Sequence, residues 1–177
     1  MKLIGPFTQL LTLRGLPLKG ALQDEQLEII SGGGILSESG KIVQVGPFDQ
    51  LLSLTKEVEE IEGDAVAMPG LIDAHTHICF AGAWAQDYSM LIAGKSYLEI
   101  AREGGGIWRS VTKTREASLK VLTENVISRA QKLMLQGITT IEVKSGYGLS
   151  VESELNMLRA IQQANEQLGN LIPTCLS

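Results

Sequence analysis

From residue 68 onward the chain repeats one rhythm, a short run of alternating or β-branched residues followed by a long amphipathic stretch. Residues 68–78 alternate apolar and polar side chains after a Pro-Gly turn, as a half-buried strand does. Thr114 is placed to cap a helix running to Gln136. Leu119, Leu122, Val126, Ala130 and Leu133 form its stripe, Glu116 sits in its first turn, and Gly137 stops it. Residues 138–145 form a second strand, rich in β-branched side chains. Ser150 caps a second helix with the stripe Leu155, Leu158, Ile161 and Leu168, ended by Gly169, and a third strand opens at Leu171. Strand, helix, strand, helix, strand is the pattern of a parallel α/β sheet, whose ligands gather where the strands end.

The chain's only two histidines, His75 and His77, stand two apart on the first of these strands. Alternation puts Leu71, Asp73, His75 and His77 on one face and Ile72, Ala74, Thr76 and Ile78 on the other. Two imidazoles side by side on a rigid strand can supply half of a first-row metal's coordination sphere. Hydrogen-bonded histidines with no metal are the simpler alternative, and it is weaker for a unique pair at this spacing. On the second strand Thr140, Glu142 and Lys144 share a face while Ile141 and Val143 point toward the helices. A Glu142–Lys144 ion pair that only settles the interior explains that polar face as well as rim chemistry does.

Residues 1–66 read as a small β-rich domain, and 67–177 as the β/α part. Short strands at 28–30, 35–36 and 41–46 are separated by turns at Gly32-Gly33-Gly34 and at 37–40. The triple glycine lacks the rest of a phosphate-binding pattern, because Ser37 takes the last glycine position. Residues 48–54 form a short helix, and the acidic run 57–62 a strand or connector. Residues 83–112 read as irregular or weakly helical, with a helical turn at 98–102 ended by Gly104-Gly105-Gly106, a suitable place for a mobile loop. A net charge of −5 and a pI near 5.1 exclude a basic nucleic-acid footprint. Cys79 and Cys175 show no paired spacing, and Cys79 reads as a small buried hydrophobe. No apolar run is long enough to span a bilayer and no cleavage-site pattern follows residue 13, so the expectation is a cytoplasmic protein without a membrane partner.

The stretch Pro69-Gly-Leu-Ile-Asp-Ala-His-Thr-His77 resembles the first barrel strand of the metal-dependent amidohydrolase superfamily. Phe80-Ala-Gly82, residues 94–100 leading into 104–107, and Glu142-Val-Lys-Ser-Gly-Tyr-Gly-Leu149 narrow the resemblance to the imidazolonepropionase family. The resemblance implies the start of a TIM-like (β/α)8 barrel preceded by a small β-rich domain, with the barrel incomplete in this chain. It implies hydrolysis of a ring C–N bond in 4-imidazolone-5-propanoate, giving N-formimidoyl-L-glutamate, with one divalent or trivalent metal ion, zinc or iron. It makes His75 and His77 metal ligands and gives Tyr147 and Tyr97 contacts to the small-molecule substrate. The sequence departs from the family at Trp84, which occupies the position of an arginine that would meet the substrate's propionate. The family's remaining ligands and its acid–base carboxylate are expected beyond Ser177. A chain with three of eight barrel strands leaves sheet edges and apolar faces uncovered, so homo-oligomerisation and inactivity of the isolated chain are expected. Two other readings stay open: another cyclic amidohydrolase or deaminase, and a non-catalytic remnant serving as an assembly module.

Overall fold

The computed structural model describes residues 1–176. Two compact units divide the chain, Met1–Pro69 and Gly70–Ser177. The first is built on β1 (Lys2–Leu11), β2 (Ile29–Glu38) and β3 (Lys41–Pro47), followed by α1 (Phe48–Leu51), β4 (Glu57–Glu60) and β5 (Val66–Ala67). The sheet order is β3-β2-β1-β4, and β5 also pairs with β1. β1 and β3 run antiparallel to β2, whereas β4 and β5 run parallel to β1. Leu3, Leu36, Phe48 and Leu51 form the core, with Val58 of β4 packed against it.

The triple glycine is not a turn. β2 runs through it: Gly32 takes a left-handed φ of +56°, whereas Gly33 and Gly34 are there for space, since a Cβ on Gly33 would stand 2.5 Å from the Cβ of Leu10 and one on Gly34 would stand 3.1 Å from Leu3 and Phe48 side-chain atoms. Alternation read from sequence cannot anticipate a strand whose glycines exist to let neighbours close in.

The second unit comprises β6 (Leu71–Thr76), α2 (Ala85–Ile92), α3 (Tyr97–Arg102), α4 (Ile107–Glu116), α5 (Leu119–Met134), β7 (Ile138–Lys144), α6 (Val151–Leu168) and β8 (Leu171–Thr174). Its three strands pair in the order β6-β7-β8, all parallel. Ile141 and Val143 of β7 are fully buried against Leu122, Val126 and Ala130 of α5 and Met157, Ala160, Ile161 and Ala164 of α6. One face of the sheet is thus covered by helices, as the alternation of β7 predicts. Ser150 caps α6 by accepting the N–H of Ser153, and Gly169 ends the helix in the left-handed conformation.

Three expectations are corrected. The segment 83–112 is mostly helical, holding α2, α3 and the first part of α4. Thr114 does not cap α5; it lies buried in α4, where its Oγ1 accepts the N–H of Ala81 at 3.1 Å. Ser118 is the cap, accepting the N–H of Val121, so Glu116 belongs to the preceding helix. On α6 the expected stripe holds at Ile161, which is buried, and at Leu158 and Leu168, which pack against the core, but Leu155 is exposed, and Met157, Ala160 and Ala164 complete the buried face.

Candidate metal centre

β6 ends at Thr76, so His75 is its penultimate residue and His77 opens the loop that follows. Thr76 pairs with Val143 and is buried on the helical side, where its Oγ1 donates to the carbonyl of Glu142 at 2.5 Å. Alternation then turns His75 toward the opposite face, that of Glu142 and Lys144. The neat two-face division of β6 does not hold throughout. The register shifts between Asp73 and Thr76, and Ile72 pairs with Thr140 and is 69% exposed rather than facing the helices. At the N-terminal side of the pair, the N–H of His75 donates to Asp73 Oδ1 at 3.2 Å.

The two imidazole rings stand with centroids 5.3 Å apart and planes tilted by 58°. A zinc–nitrogen bond of about 2.0–2.1 Å puts a ring centre roughly 3.2 Å from the metal, so two rings on adjacent tetrahedral positions stand about 5 Å apart. The separation of the His75 and His77 rings thus matches the spacing that two imidazoles on one metal ion require. Among the described residues no group of three or more His, Cys, Asp or Glu is placed to hold a metal.

Tyr147 joins the pair from the loop after β7. Its ring lies edge-on to His77, 6.0 Å between centroids, and edge-on to Phe80 at 5.8 Å. Burial raises the pKa of its hydroxyl, which stays protonated as a donor at neutral pH. Two further groups fix the loop after the histidines. Arg129 of α5 donates to the carbonyls of Ile78 and Phe80, both at 2.7 Å, and its guanidinium lies 3.6 Å over the Phe80 ring. Asn125 adds a donor to the Phe80 carbonyl at 3.4 Å. Neither residue stands out in the sequence, where both read as the polar side of an amphipathic helix.

Trp84 and Tyr97 lie elsewhere. With Asp87, Tyr88, Leu91, Ile100 and Gly106 they line a small cavity between α2 and α3, and both are largely exposed. Its one charged wall is accounted for: the buried carboxylate of Asp87 accepts Arg109 at 2.8 Å and the N–H of Gly106 at 2.6 Å. Glu142 and Lys144 form an ion pair on the open face of β7. The Lys144 ammonium first, then the Thr174 hydroxyl, hold the Glu142 carboxyl at a pKa of about 2. Cys79 is fully buried in the core, where its thiol donates to the Met157 carbonyl at 3.6 Å and burial pushes its pKa up to about 12; Cys175 is exposed.

No family model matches the chain. It is 41% identical over 172 residues to imidazolonepropionase from Symbiobacterium thermophilum, covering 94% of this chain and 40% of that protein. The enzyme of the same name from Yersinia enterocolitica is 43% identical over 154 residues, 84% of this chain and 37% of its own length. This chain is an imidazolonepropionase relative. It spans about 40% of the length of the curated imidazolonepropionases it matches. Among solved structures, zinc-bound atrazine chlorohydrolase from Arthrobacter aurescens, as a variant complexed with atraton, superimposes over 98% of this chain and 35% of its own, with a TM-score of 0.60 at 21% identity. Guanine deaminase from E. coli covers 98% of this chain and 37% of its own, with a TM-score of 0.60 at 16% identity. The imidazolonepropionase relative thus has the α/β fold of these hydrolases, as the sequence resemblance implies.

Proposed function

We propose that His75 and His77 supply two ligands to a single zinc or iron ion in an imidazolonepropionase-type hydrolase that opens a cyclic amide. The proposed reaction converts 4-imidazolone-5-propanoate to N-formimidoyl-L-glutamate. The observation that carries this reading is the 5.3 Å approach of the two rings at the carboxyl end of β6, with Tyr147 beside them. When bound, such an ion supplies Lewis acidity at the ring carbonyl and brings water's pKa from about 15.7 to about 7. The protein's own contribution is placement. Arg129 fixes the loop after the histidines, and Tyr147 offers a protonated hydroxyl beside the site as a donor to a bound substrate. Glu142 is not the proton-shuttling carboxylate: tied to Lys144 and titrating near 2, it is too weak a base at neutral pH. The acid–base group and the remaining ligands are proposed to come from outside residues 1–177, in a cytoplasmic homo-oligomer acting on a small molecule.

Trp84 favours a second reading. In place of the family arginine it lines a cavity walled by aromatic and aliphatic side chains, with its one carboxylate already neutralised by Arg109. Because that cavity lies apart from the histidine pair, the support is only the missing guanidinium, which suits a related cyclic amidohydrolase or deaminase whose substrate lacks a carboxylate. Zinc titration of the purified chain, followed through the ring resonances of His75 and His77, tests the metal reading. Both sets are expected to shift together, and His75→Ala or His77→Ala should each weaken binding at least tenfold. Shifts confined to one ring, or none, would remove the proposal. Ligand-detected binding of imidazolone propanoate against an uncharged cyclic amide separates the two substrate readings, the second being favoured if only the uncharged ring binds.

A further inference from the structure

The loop that carries Tyr147 uses glycine where its backbone needs it, at Gly146 and Gly148, but ends on a leucine held where leucine is disfavoured. Gly146 has φ +116°, and Leu149, a γ-branched residue, sits in the left-handed region at φ +51°. Gly148 presses so close to the start of α6 that a Cβ there would meet the backbone N of Glu154 at 2.6 Å. Backbone held this way persists only where its surroundings over-determine it. Here they do. The carboxylate of Glu154, on the first turn of α6, accepts the N–H of Gly146 through Oε2 at 2.7 Å. Its Oε1 accepts those of Gly148 at 2.7 Å and Leu149 at 2.9 Å. From the other side Arg115 of α4 donates to the carbonyls of Gly148 at 2.6 Å and Leu149 at 3.0 Å. Five charge-assisted bonds therefore converge on three residues, Gly146, Gly148 and Leu149, and the side chain between them, that of Tyr147, projects against His77 and Phe80.

We propose that Glu154 and Arg115 are positioning residues, a two-sided clamp that stores the strain of the Gly146–Leu149 loop and thereby fixes Tyr147 beside the histidine pair. The proposal rests on the reading of His77 and Tyr147 as one site, but its geometry needs neither metal nor substrate. The two ends of the clamp are not equivalent. Glu154 binds donors along the whole loop, whereas Arg115 holds only its last two carbonyls, so loss of Glu154 should free Tyr147 and loss of Arg115 should free mainly Leu149. A carboxylate that merely favoured the start of α6 through the helix dipole would show no such pattern, because Ser150 already caps that helix.

The test is amide hydrogen exchange and ring-to-ring nuclear Overhauser contacts on the 177-residue chain, without metal or substrate. In Glu154→Gln, which keeps the size and one acceptor oxygen, exchange at Gly146, Gly148 and Leu149 should rise about tenfold or more. Exchange at Met157 and Ile161 should stay unchanged, and the Tyr147–His77 contact should weaken. Leu149→Gly, which relieves the strain, should restore much of that contact in the Glu154→Gln background. Unchanged loop exchange in Glu154→Gln, or loss spread evenly through α6, overturns the clamp, and so does a double variant no better ordered than the single one. Failure of zinc to shift the histidine resonances would instead sink the metal reading and leave this result standing, so the two are separable.

Discussion

Glu142 admits a catalytic and a structural reading, and its ion pair with Lys144 supports the structural one. It lies on the open face of the strand next to the histidines, where a carboxylate invites a role as general base. Its pKa argues otherwise. Lys144 and Thr174 favour its charged form so strongly that it titrates near 2 instead of 4.5. A carboxyl whose folded pKa is depressed binds fewer protons in the folded state than in the unfolded one. Its stabilising contribution is therefore complete above about pH 4.5 and lost as the pH falls through 2. Chemical denaturation across pH 2 to 6 should show the native chain losing stability in that window. Glu142→Gln should show a flatter profile there and little change in zinc response at neutral pH. A wild-type profile as flat as the variant's would show that the ion pair is not formed in solution. The histidines, by contrast, draw attention from the sequence alone. They are the only two in the chain, and the structure sets their rings 5.3 Å apart although His77 lies just past the end of β6.

At the scale of elements, the long β/α rhythm was legible because period and length agree: β7 has its buried alternation, and α5 and α6 have stripes and glycine stops. What the sequence did not show was anything set by a distant partner. The threonine at 114 has the look of a cap, and its hydroxyl does accept a backbone N–H. The donor is Ala81, thirty-three residues away, and a serine four residues later caps the helix instead. Likewise the carboxylate at 154 reads as an ordinary first-turn acid, and the three glycines of β2 read as a turn, because neither local pattern reveals what packs against it. The two hydroxyls at 114 and 118 therefore make a matched test. Ser118→Ala removes an exposed cap and should cost about 1 kcal/mol in urea unfolding. Thr114→Val keeps the shape but strands the Ala81 N–H in the interior, which should cost about 1–3 kcal/mol. If Ser118→Ala proved the costlier of the two, the assignment of α4 and α5 as separate helices would be wrong.

For the molecule as a whole, the decisive asymmetry is that α5 and α6 cover one face of the β6-β7-β8 sheet while the other is open. That open face carries Ile72, paired with Thr140, and Ile172, paired with Glu142, at 69% and 53% exposure. Beside β8, Leu149, Val151, Leu155, Leu158 and Leu176 line an apolar groove on α6. Among the described residues β6 and β8 each pair with one strand only, so both outer edges offer unpaired backbone groups next to this apolar surface. Edge and surface together favour association over a free monomer, because pairing another strand satisfies the backbone while burying the isoleucines and leucines. The chain should therefore sediment as a concentration-dependent mixture at micromolar protein. Ile172→Lys, a charge on the outer strand, should shift that mixture toward monomer by blocking edge pairing. Because Ile172 is half exposed, the same change should leave intrinsic stability within about 0.5 kcal/mol. A chain that stays monomeric at every concentration, or an Ile172→Lys variant that associates as strongly as the parent, would show that β8 is not the surface through which the molecules meet.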